Sequence, residues 1–182
     1  MQEGTSLNKR GFLLGEETLK IVLAVISITF LIYLLVSLYF AHVRDKELEL
    51  AKASLNHLIE EINANAEEVE IYNPKGWYIS SFPMKIIGFS EENKIEGTNL
   101  IIPKTCSNIG WESCICIYSW KGVRNPSLAV DNLGACKENE FEIRGSVSIS
   151  NTQRIENTIK IQNPPLTLTI NYENKIIQEN ES

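Results

Sequence analysis

The spacing of hydrophobic and polar positions changes twice along the chain. Residues 21–41 carry no charged side chain, and a run of that length can cross a bilayer core at about 1.5 Å rise per residue. Its polar interruptions are hydroxyl side chains, which can bond back to their own helix backbone: Ser27, Thr29, Tyr33, Ser37 and Tyr39. This pattern predicts a transmembrane helix and not the core helix of a soluble protein.

Helical spacing continues beyond the apolar run. Apolar residues recur every three or four positions, at Leu48, Ala51, Leu55, Leu58 and Ile62. Because no Pro or Gly separates Glu16 from Asn63, we predict one helix of about 48 residues, roughly 70 Å long. Two heptads are too few for a coiled coil. We therefore expect the amphipathic part to pack against the chain's own domain or against neighbouring subunits.

From Glu70 onwards the spacing becomes that of short strands. Apolar runs and alternation predict strands near residues 84–89, 99–102, 114–118, 141–149, 159–161, 166–170 and 176–177. The turn sequence at residues 73–76 predicts a hairpin between residues 69–71 and 77–79, and a second hairpin crosses residues 172–175. No second helical pattern is found. The predicted fold class is α+β: a long N-terminal transmembrane helix that continues as an amphipathic helix, then a mainly antiparallel β domain braced by disulfides.

The chain divides into three parts: the boundary at residue 67 follows the change of pattern, and the boundary after residue 11 is the one implied by a resemblance of the N-terminal residues to a known family. Residues 1–11 are a cytoplasmic leader or tail, residues 12–66 the membrane and membrane-proximal helix, and residues 67–182 an extracytoplasmic β-rich domain. Lys9 and Arg10 precede the apolar run, which favours a cytoplasmic N-terminus. All four cysteines lie in the third part, as suits an oxidising exterior. A conventional signal peptide is not expected, because the apolar run is longer than a secretory h-region.

Charge and motifs narrow the classes of function. The net charge of -6 and the pI of about 5.1 argue against a nucleic-acid partner. No phosphate-binding loop, nucleophile elbow, HExxH or EF-hand pattern occurs. His42 and His57 are expected to be solvated helix residues, and residues 138–140 a turn rather than a calcium site. We therefore predict no enzyme activity and assign no catalytic, cofactor-binding or metal residue.

The cysteines are the strongest chemical signal: Cys106, Cys114, Cys116 and Cys136. Cys114 and Cys116 share one strand face with Cα atoms about 6.6 Å apart, at the edge of bridging distance. Two connectivities remain, 106–114 with 116–136 or 106–116 with 114–136. Zinc ribbons use Cys-x-x-Cys knuckles, which are lacking, and no helix start or basic neighbour marks a redox thiol. We predict structural disulfides.

The aromatic residues of the third part suggest either a sugar-stacking surface or a sheet core, and the core is the commoner use. They are Tyr72, Trp77, Tyr78, Trp111, Tyr118 and Trp120.

The residues just before the apolar run resemble a signal sequence of a known protein family. Lys9, Arg10, Gly11, Phe12 and Glu16 resemble the class III signal of type IV pilins and pilin-like proteins. The resemblance implies that a prepilin-type peptidase cuts between Gly11 and Phe12 and that the apolar helix packs into a filament core. It also implies that Glu16 faces the new amino terminus.

Two functions of different classes follow. The first is a pilin-like structural subunit of a cell-surface assembly, whose partners are membrane lipid, the prepilin-type peptidase, and copies of itself or other pilin-like subunits. The alternative is an uncleaved membrane anchor that displays an extracytoplasmic binding module. A membrane-tethered enzyme ranks last because no catalytic residue can be named.

Overall fold

The computed structural model describes residues 9–72, 74–89, 95–120, 125–150 and 153–180. In this part of the chain one long helix is followed by twelve strands and two short helices. The helices are α1 Lys9–Asn63, α2 Lys104–Ser107 and α3 Pro126–Leu133. The strands are β1 Glu68–Ile71, β2 Tyr78–Phe82, β3 Met84–Phe89, β4 Ile95–Ile101, β5 Cys114–Tyr118, β6 Gly134–Glu138, β7 Glu142–Arg144, β8 Ser146–Ser150, β9 Gln153–Glu156, β10 Thr158–Lys160, β11 Leu166–Asn171 and β12 Ile176–Glu179.

The chain forms two compact units, Met1–Asp45 and Lys46–Ser182. In the first unit the large apolar side chains of α1 between Leu19 and Phe40 are 39% to 71% exposed. The hydroxyls of Ser27 and Thr29 donate to the carbonyls four residues earlier at 2.8 Å. These polar groups are thus satisfied within the helix, as the sequence pattern predicts.

The described residues of the second unit form three four-stranded sheets. Their strand orders are β1-β11-β12-β7 in the first, β10-β2-β5-β6 in the second and β4-β3-β9-β8 in the third. Every strand pair is antiparallel except β12 with β7, which is parallel. The predicted α+β class with a mainly antiparallel domain is confirmed, and so is the hairpin of β11 with β12, in which Ile170 faces Ile177.

The main core lies between the C-terminal part of α1 and two of the sheets. Ala51, Leu55, Leu58 and Ile62 are at most 6% exposed and pack with apolar residues of the first and second sheets. Their spacing places them on one helix face, so the predicted stripe packs against the chain's own domain. The compact unit consequently begins at Lys46, inside α1, whereas the periodicity alone placed the domain boundary at residue 67.

Strand β5 is buried on both faces. Ile115 and Ile117 belong to the main core, while Cys114, Cys116 and Tyr118 belong to a second cluster that includes Ala129 and Val130 of α3. Successive side chains of a strand point to opposite faces, so the alternation of cysteine and isoleucine divides β5 between the two clusters.

One predicted hairpin is wrong. The turn at residues 74–76 forms, with the Trp77 amide donating to the Pro74 carbonyl at 3.4 Å, while Asn73 lies outside the described residues. However, β1 pairs with β11 and β2 pairs with β5 and β10. A turn signal reports local reversal of the chain, and it does not identify the strand that supplies the hydrogen bonds.

The expectation of no further helix is also wrong. The Asn125 side chain caps α3 by accepting a hydrogen bond from the Ser127 amide at 2.9 Å, and Pro126 occupies the first turn. At four and eight residues, α2 and α3 are too short to show a clear helical period. The Asp131 carboxylate joins them by accepting hydrogen bonds from the Thr105 amide and hydroxyl at 2.9 and 2.8 Å.

The alternating run at residues 141–149 is two strands of different sheets, β7 and β8. Gly145 separates them. A Cβ atom on Gly145 would lie 2.6 Å from the Thr158 carbonyl oxygen and 2.6 Å from Ile159 Cγ1. The close approach to β10 therefore requires glycine at the point where the chain passes from the first sheet to the third.

Candidate functional site

The apolar part of α1 is the first candidate site, for contact with lipid or with other subunits. α1 contains one stretch long and apolar enough to span a membrane, and none of that stretch is buried. The backbone of Gly11, Phe12 and Glu16 lies in α1, but their side chains lie outside the part of the chain that the structure describes. Their roles in processing and assembly remain predictions.

The end of α1 is fixed to the β domain by one tyrosine. The Tyr172 hydroxyl, just after β11, donates to the Ala66 carbonyl at 2.8 Å and to the Ile62 carbonyl at 3.2 Å. Ile62 lies in the last turn of α1 and Ala66 follows the end of the helix, where carbonyl groups have no further helical amide to accept from. Partial burial, and then the nearby Glu61 carboxylate, raise the pKa of Tyr172. The hydroxyl therefore stays a donor throughout the neutral range.

The four cysteines form the second candidate site. Cys106 is bonded to Cys114, and Cys116 to Cys136. The predicted disulfides are therefore present, with the first of the two connectivities that spacing left open. Cys116 and Cys136 face each other directly across β5 and β6, with Cα atoms 4.1 Å apart.

All four sulfur atoms lie within 4.8 Å of one another. Cys106, Cys114 and Cys116 are fully buried, whereas Cys136 is half-buried on β6, the edge strand of the second sheet. The bonds close short segments, with separations of 8 and 20 residues. They attach α2 and β6 to the central strand β5, and each is expected to stabilise the domain by about 2 to 4 kcal/mol.

A buried hydroxyl cluster lies on the same face of the second sheet. The Ser80 hydroxyl is 3.1 Å from the Tyr118 hydroxyl and 2.9 Å from the Thr158 hydroxyl. Burial raises the pKa of Tyr118, so this side chain remains neutral. The cluster joins side chains of β10, β2 and β5. With hydroxyl groups alone, it has no base to activate a nucleophile.

Most of the aromatic side chains fill the core, as expected. Trp77 and Tyr118 are fully buried, and Tyr78, Trp111 and Trp120 pack against the second cluster. Tyr72 differs, because it is 54% exposed and donates a hydrogen bond to the Glu70 carboxylate. That hydrogen bond and the negative charge of Glu70 raise the pKa of Tyr72. One exposed ring is too little for a sugar-stacking surface.

A polar cleft of about 980 Å³ is the third candidate site, and no sequence signal pointed to it. Its lining residues come from β10, β11, β12 and the junction of β7 with β8. Two bases, Arg144 and Lys160, lie in its wall together with amide side chains, which are Gln162, Asn163, Gln178 and Asn180. These groups can donate and accept hydrogen bonds to a polar ligand. Distant strands assemble the cleft, so residue spacing along the chain could not predict it.

The remaining candidate residues have ordinary structural roles. His57 lies 3.7 Å from Glu61, one helical turn away. At residues 138–140 the Asn139 side chain accepts a hydrogen bond from the Phe141 amide, and Glu140 pairs with Lys175. The hydrogen bond and charge of Lys175 lower the pKa of Glu140. This segment is therefore organised as a turn.

Comparison with known proteins finds no matching protein family, no similar curated protein and no similar solved structure.

Proposed function

We propose that this chain is a pilin-like structural subunit of a cell-surface assembly. The described residues form one long apolar N-terminal helix followed by a β domain, which is consistent with a single-pass membrane protein. The observation that carries the proposal is the division of α1. One part exposes its apolar side chains and the other supplies the domain core.

The exposed apolar side chains need a cover. Burying apolar surface is worth about 25 cal/mol per Å², and the large side chains between Leu19 and Phe40 are exposed on every face. Lipid covers such a helix before assembly, and the corresponding helices of other subunits cover it afterwards. Because Ser27 and Thr29 bond to their own backbone, they can enter either environment without an unpaired hydroxyl.

Processing would create the groups that favour packing of subunits. A cut after Gly11 leaves the amino group of Phe12 at the start of an apolar helix. Within a packed bundle an unpaired charge costs several kcal/mol. Glu16 lies about one helical turn away, so its carboxylate can neutralise the amine of its own or a neighbouring subunit.

The domain is proposed to lie outside the cell, with the N-terminus in the cytoplasm. The bases Lys9 and Arg10 before the apolar run support this orientation. The two disulfides support it independently, because such bonds persist in oxidising compartments.

A second function is favoured by one observation, the cleft of about 980 Å³. An uncleaved anchor that displays this cleft would be a binding module for a polar ligand. The two functions differ in processing: a subunit would begin at Phe12 in the mature form, and an anchor would retain Met1.

Two measurements test the subunit proposal: the N-terminus of the mature protein and the amount of cross-linked oligomer. We expect mass spectrometry of the protein from its native membrane to show an N-terminus at Phe12. Glu16→Gln should reduce cross-linked oligomers strongly while leaving membrane integration unchanged, because only the packed state removes the amine from water. Glu17→Gln is the matched control and should assemble normally.

Glu17 could replace part of the negative charge of Glu16, and Lys20 could pair with Glu16 four residues away, so a variant with all three neutralised is measured beside the single variants. A mature chain that retains Met1, together with equal cross-linking of Glu16→Gln and the unmodified protein, would overturn the subunit proposal in favour of the anchor.

A further inference from the structure

The two disulfides are in contact with each other. The Cys116 sulfur lies 3.7 Å from the Cys106 sulfur and 3.7 Å from the Cys114 sulfur. That is ordinary contact distance for sulfur atoms that are not bonded. The attacking atom and the target of a thiol–disulfide exchange are therefore neighbours in the folded domain. Because the two distances are equal, the Cys116 sulfur lies beside the Cys106–Cys114 bond, and after its own bond breaks it must move towards the line of that bond to displace the Cys114 sulfur.

The cysteines differ in how they can be reached. Cys106, Cys114 and Cys116 are fully buried, so a thiol from solution cannot contact their sulfur atoms in the folded state. Cys136 is half-buried on an edge strand, with the exposed Lys137 next to it. Of the four cysteines, Cys136 is therefore the one nearest to solvent.

We propose that Cys136 is a site of S-thiolation by a low-molecular-weight thiol and that Cys116 relays the exchange to the buried disulfide. This exchange takes place in the folded domain and does not depend on whether the chain is a pilin-like subunit.

The exchange involves two displacements with no net oxidation. In the first, the external thiolate attacks the Cys136 sulfur, a mixed disulfide forms, the Cys116–Cys136 bond breaks, and its electron pair leaves on the Cys116 sulfur. In the second, the Cys116 thiolate attacks the Cys106 sulfur, a Cys106–Cys116 bond forms, and the Cys106–Cys114 bond breaks. The electron pair then resides on the Cys114 sulfur, which takes up the proton that the external thiol released.

The attack is assigned to Cys106 for a geometric reason. Cys114 and Cys116 lie in the same strand β5 with one residue between them, so a bond between them would have to close along a single regular strand and would distort it. Cys106 belongs to a different element, α2. The product bond joins Cys106 to Cys116. This bond is part of the second connectivity that the spacing allowed, whereas the structure has the first.

Two single variants test the relay in the full-length protein. Cys136→Ser leaves the Cys116 thiol in contact with the other disulfide, whereas Cys116→Ser leaves the Cys136 thiol. After an acid quench, alkylation and non-reducing peptide mapping, we expect Cys136→Ser to contain a substantial Cys106–Cys116 fraction with Cys114 alkylated. In Cys116→Ser the Cys106–Cys114 bond should stay intact, at least several-fold less exchanged.

A measurement on the unmodified protein covers the case in which a variant does not fold. A brief pulse of glutathione, quenched and mapped in the same way, should yield protein with glutathione on Cys136 and an alkylated Cys114. Glutathione on Cys136 with an alkylated Cys116 and an intact Cys106–Cys114 bond would overturn the relay. Absence of glutathione from Cys136, under conditions where the unfolded protein reacts, would overturn the site.

Discussion

The two parts of α1 belong to one helix but differ in how their apolar side chains are buried. Between Ile21 and Phe40 the large side chains are apolar or aromatic around the whole circumference and none is buried. Beyond Lys46 the domain covers one stripe of apolar residues almost completely, as the 1% exposure of Leu58 shows, whereas Leu50 lies off this stripe and is 44% exposed. Hydrophobicity alone therefore does not determine burial.

The difference lies in the width of the apolar face. A narrow stripe can be covered by the chain's own sheets, and the polar residues beside it remain in water. A helix that is apolar on all sides needs a surrounding apolar environment, which a single small domain does not supply. The first part of α1 is thus suited to lipid or to other helices, and the second part to its own sheets.

The largest expected effect comes from placing charge in the first part. Ile28→Arg combined with Leu31→Arg adds two charges near the middle of the apolar run, each at a cost of about 2.5 to 3.5 kcal/mol for membrane insertion. We expect most of the protein to be released by alkaline carbonate extraction, whereas the unmodified chain stays with the membrane.

Leu50→Arg is the matched control, because Leu50 is 44% exposed in the second part of the helix. It should stay in the membrane fraction. If the double variant stayed in the membrane fraction as fully as the unmodified chain, the apolar side chains of the first part of α1 would not be what holds the protein in the membrane.

A buried residue of the second part should give the opposite pattern. Leu58→Ala leaves a cavity between α1 and the sheets and should lower the free energy of unfolding of the domain by about 2 to 5 kcal/mol. Membrane integration should not change. Denaturant unfolding of the detergent-solubilised protein gives the loss.

His57→Ala, on the exposed side of the same turn, controls for a general effect on the helix and should have little influence. Equal stability of Leu58→Ala and His57→Ala would show that the stripe does not contribute to the core.

The smallest effect concerns the attachment of the helix end. Tyr172→Phe removes the hydrogen bonds to Ile62 and Ala66 and should cost about 0.5 to 1.5 kcal/mol at neutral pH. The pKa of Tyr172 is raised above its ordinary value of 10.0, so this contribution is fully present below that pH and is lost as the pH rises above it.

The unfolding free energies of the variant and the unmodified protein should therefore differ at pH 7 and converge in the alkaline range. A difference that persists unchanged where tyrosine is ionised would show that the hydrogen bonds of the hydroxyl are not its cause, since the ring contact with Phe141 is present in both proteins. Tyr33→Phe, in the first part of the helix, is the control and should leave domain stability unaffected.

Those elements that repeat a local pattern were predictable. The stripe ending at Ile62 and the alternation in β11 report the faces that become buried, because helix and strand periods are properties of consecutive residues. Strand β3 was predicted with its full bounds of Met84–Phe89. Two short helices were missed because α2 and α3 complete at most about two turns.

Long-range pairings could not be predicted in this way. The register of Val69 opposite Leu168 joins residues far apart in the sequence, and no turn or period identifies such a partner. The cysteine connectivity likewise depends on a long-range strand pairing, because Cys116 lies opposite Cys136 only when β5 and β6 are adjacent. The polar cleft could not be predicted for the same reason, because residues of distant strands line it. The aromatic core could be predicted, because large rings are generally buried.

The position of β1 has a consequence for synthesis of the protein. This strand directly follows α1, lies at the edge of the first sheet and pairs with β11, which is made roughly a hundred residues later, on the order of 5 to 20 seconds at ordinary rates of translation. During that interval the nascent chain holds an amphipathic segment whose covering sheet has not been made. Folding of this domain cannot simply follow the order of synthesis, so chaperones or crowded neighbouring chains have a defined time in which to bind the uncovered stripe.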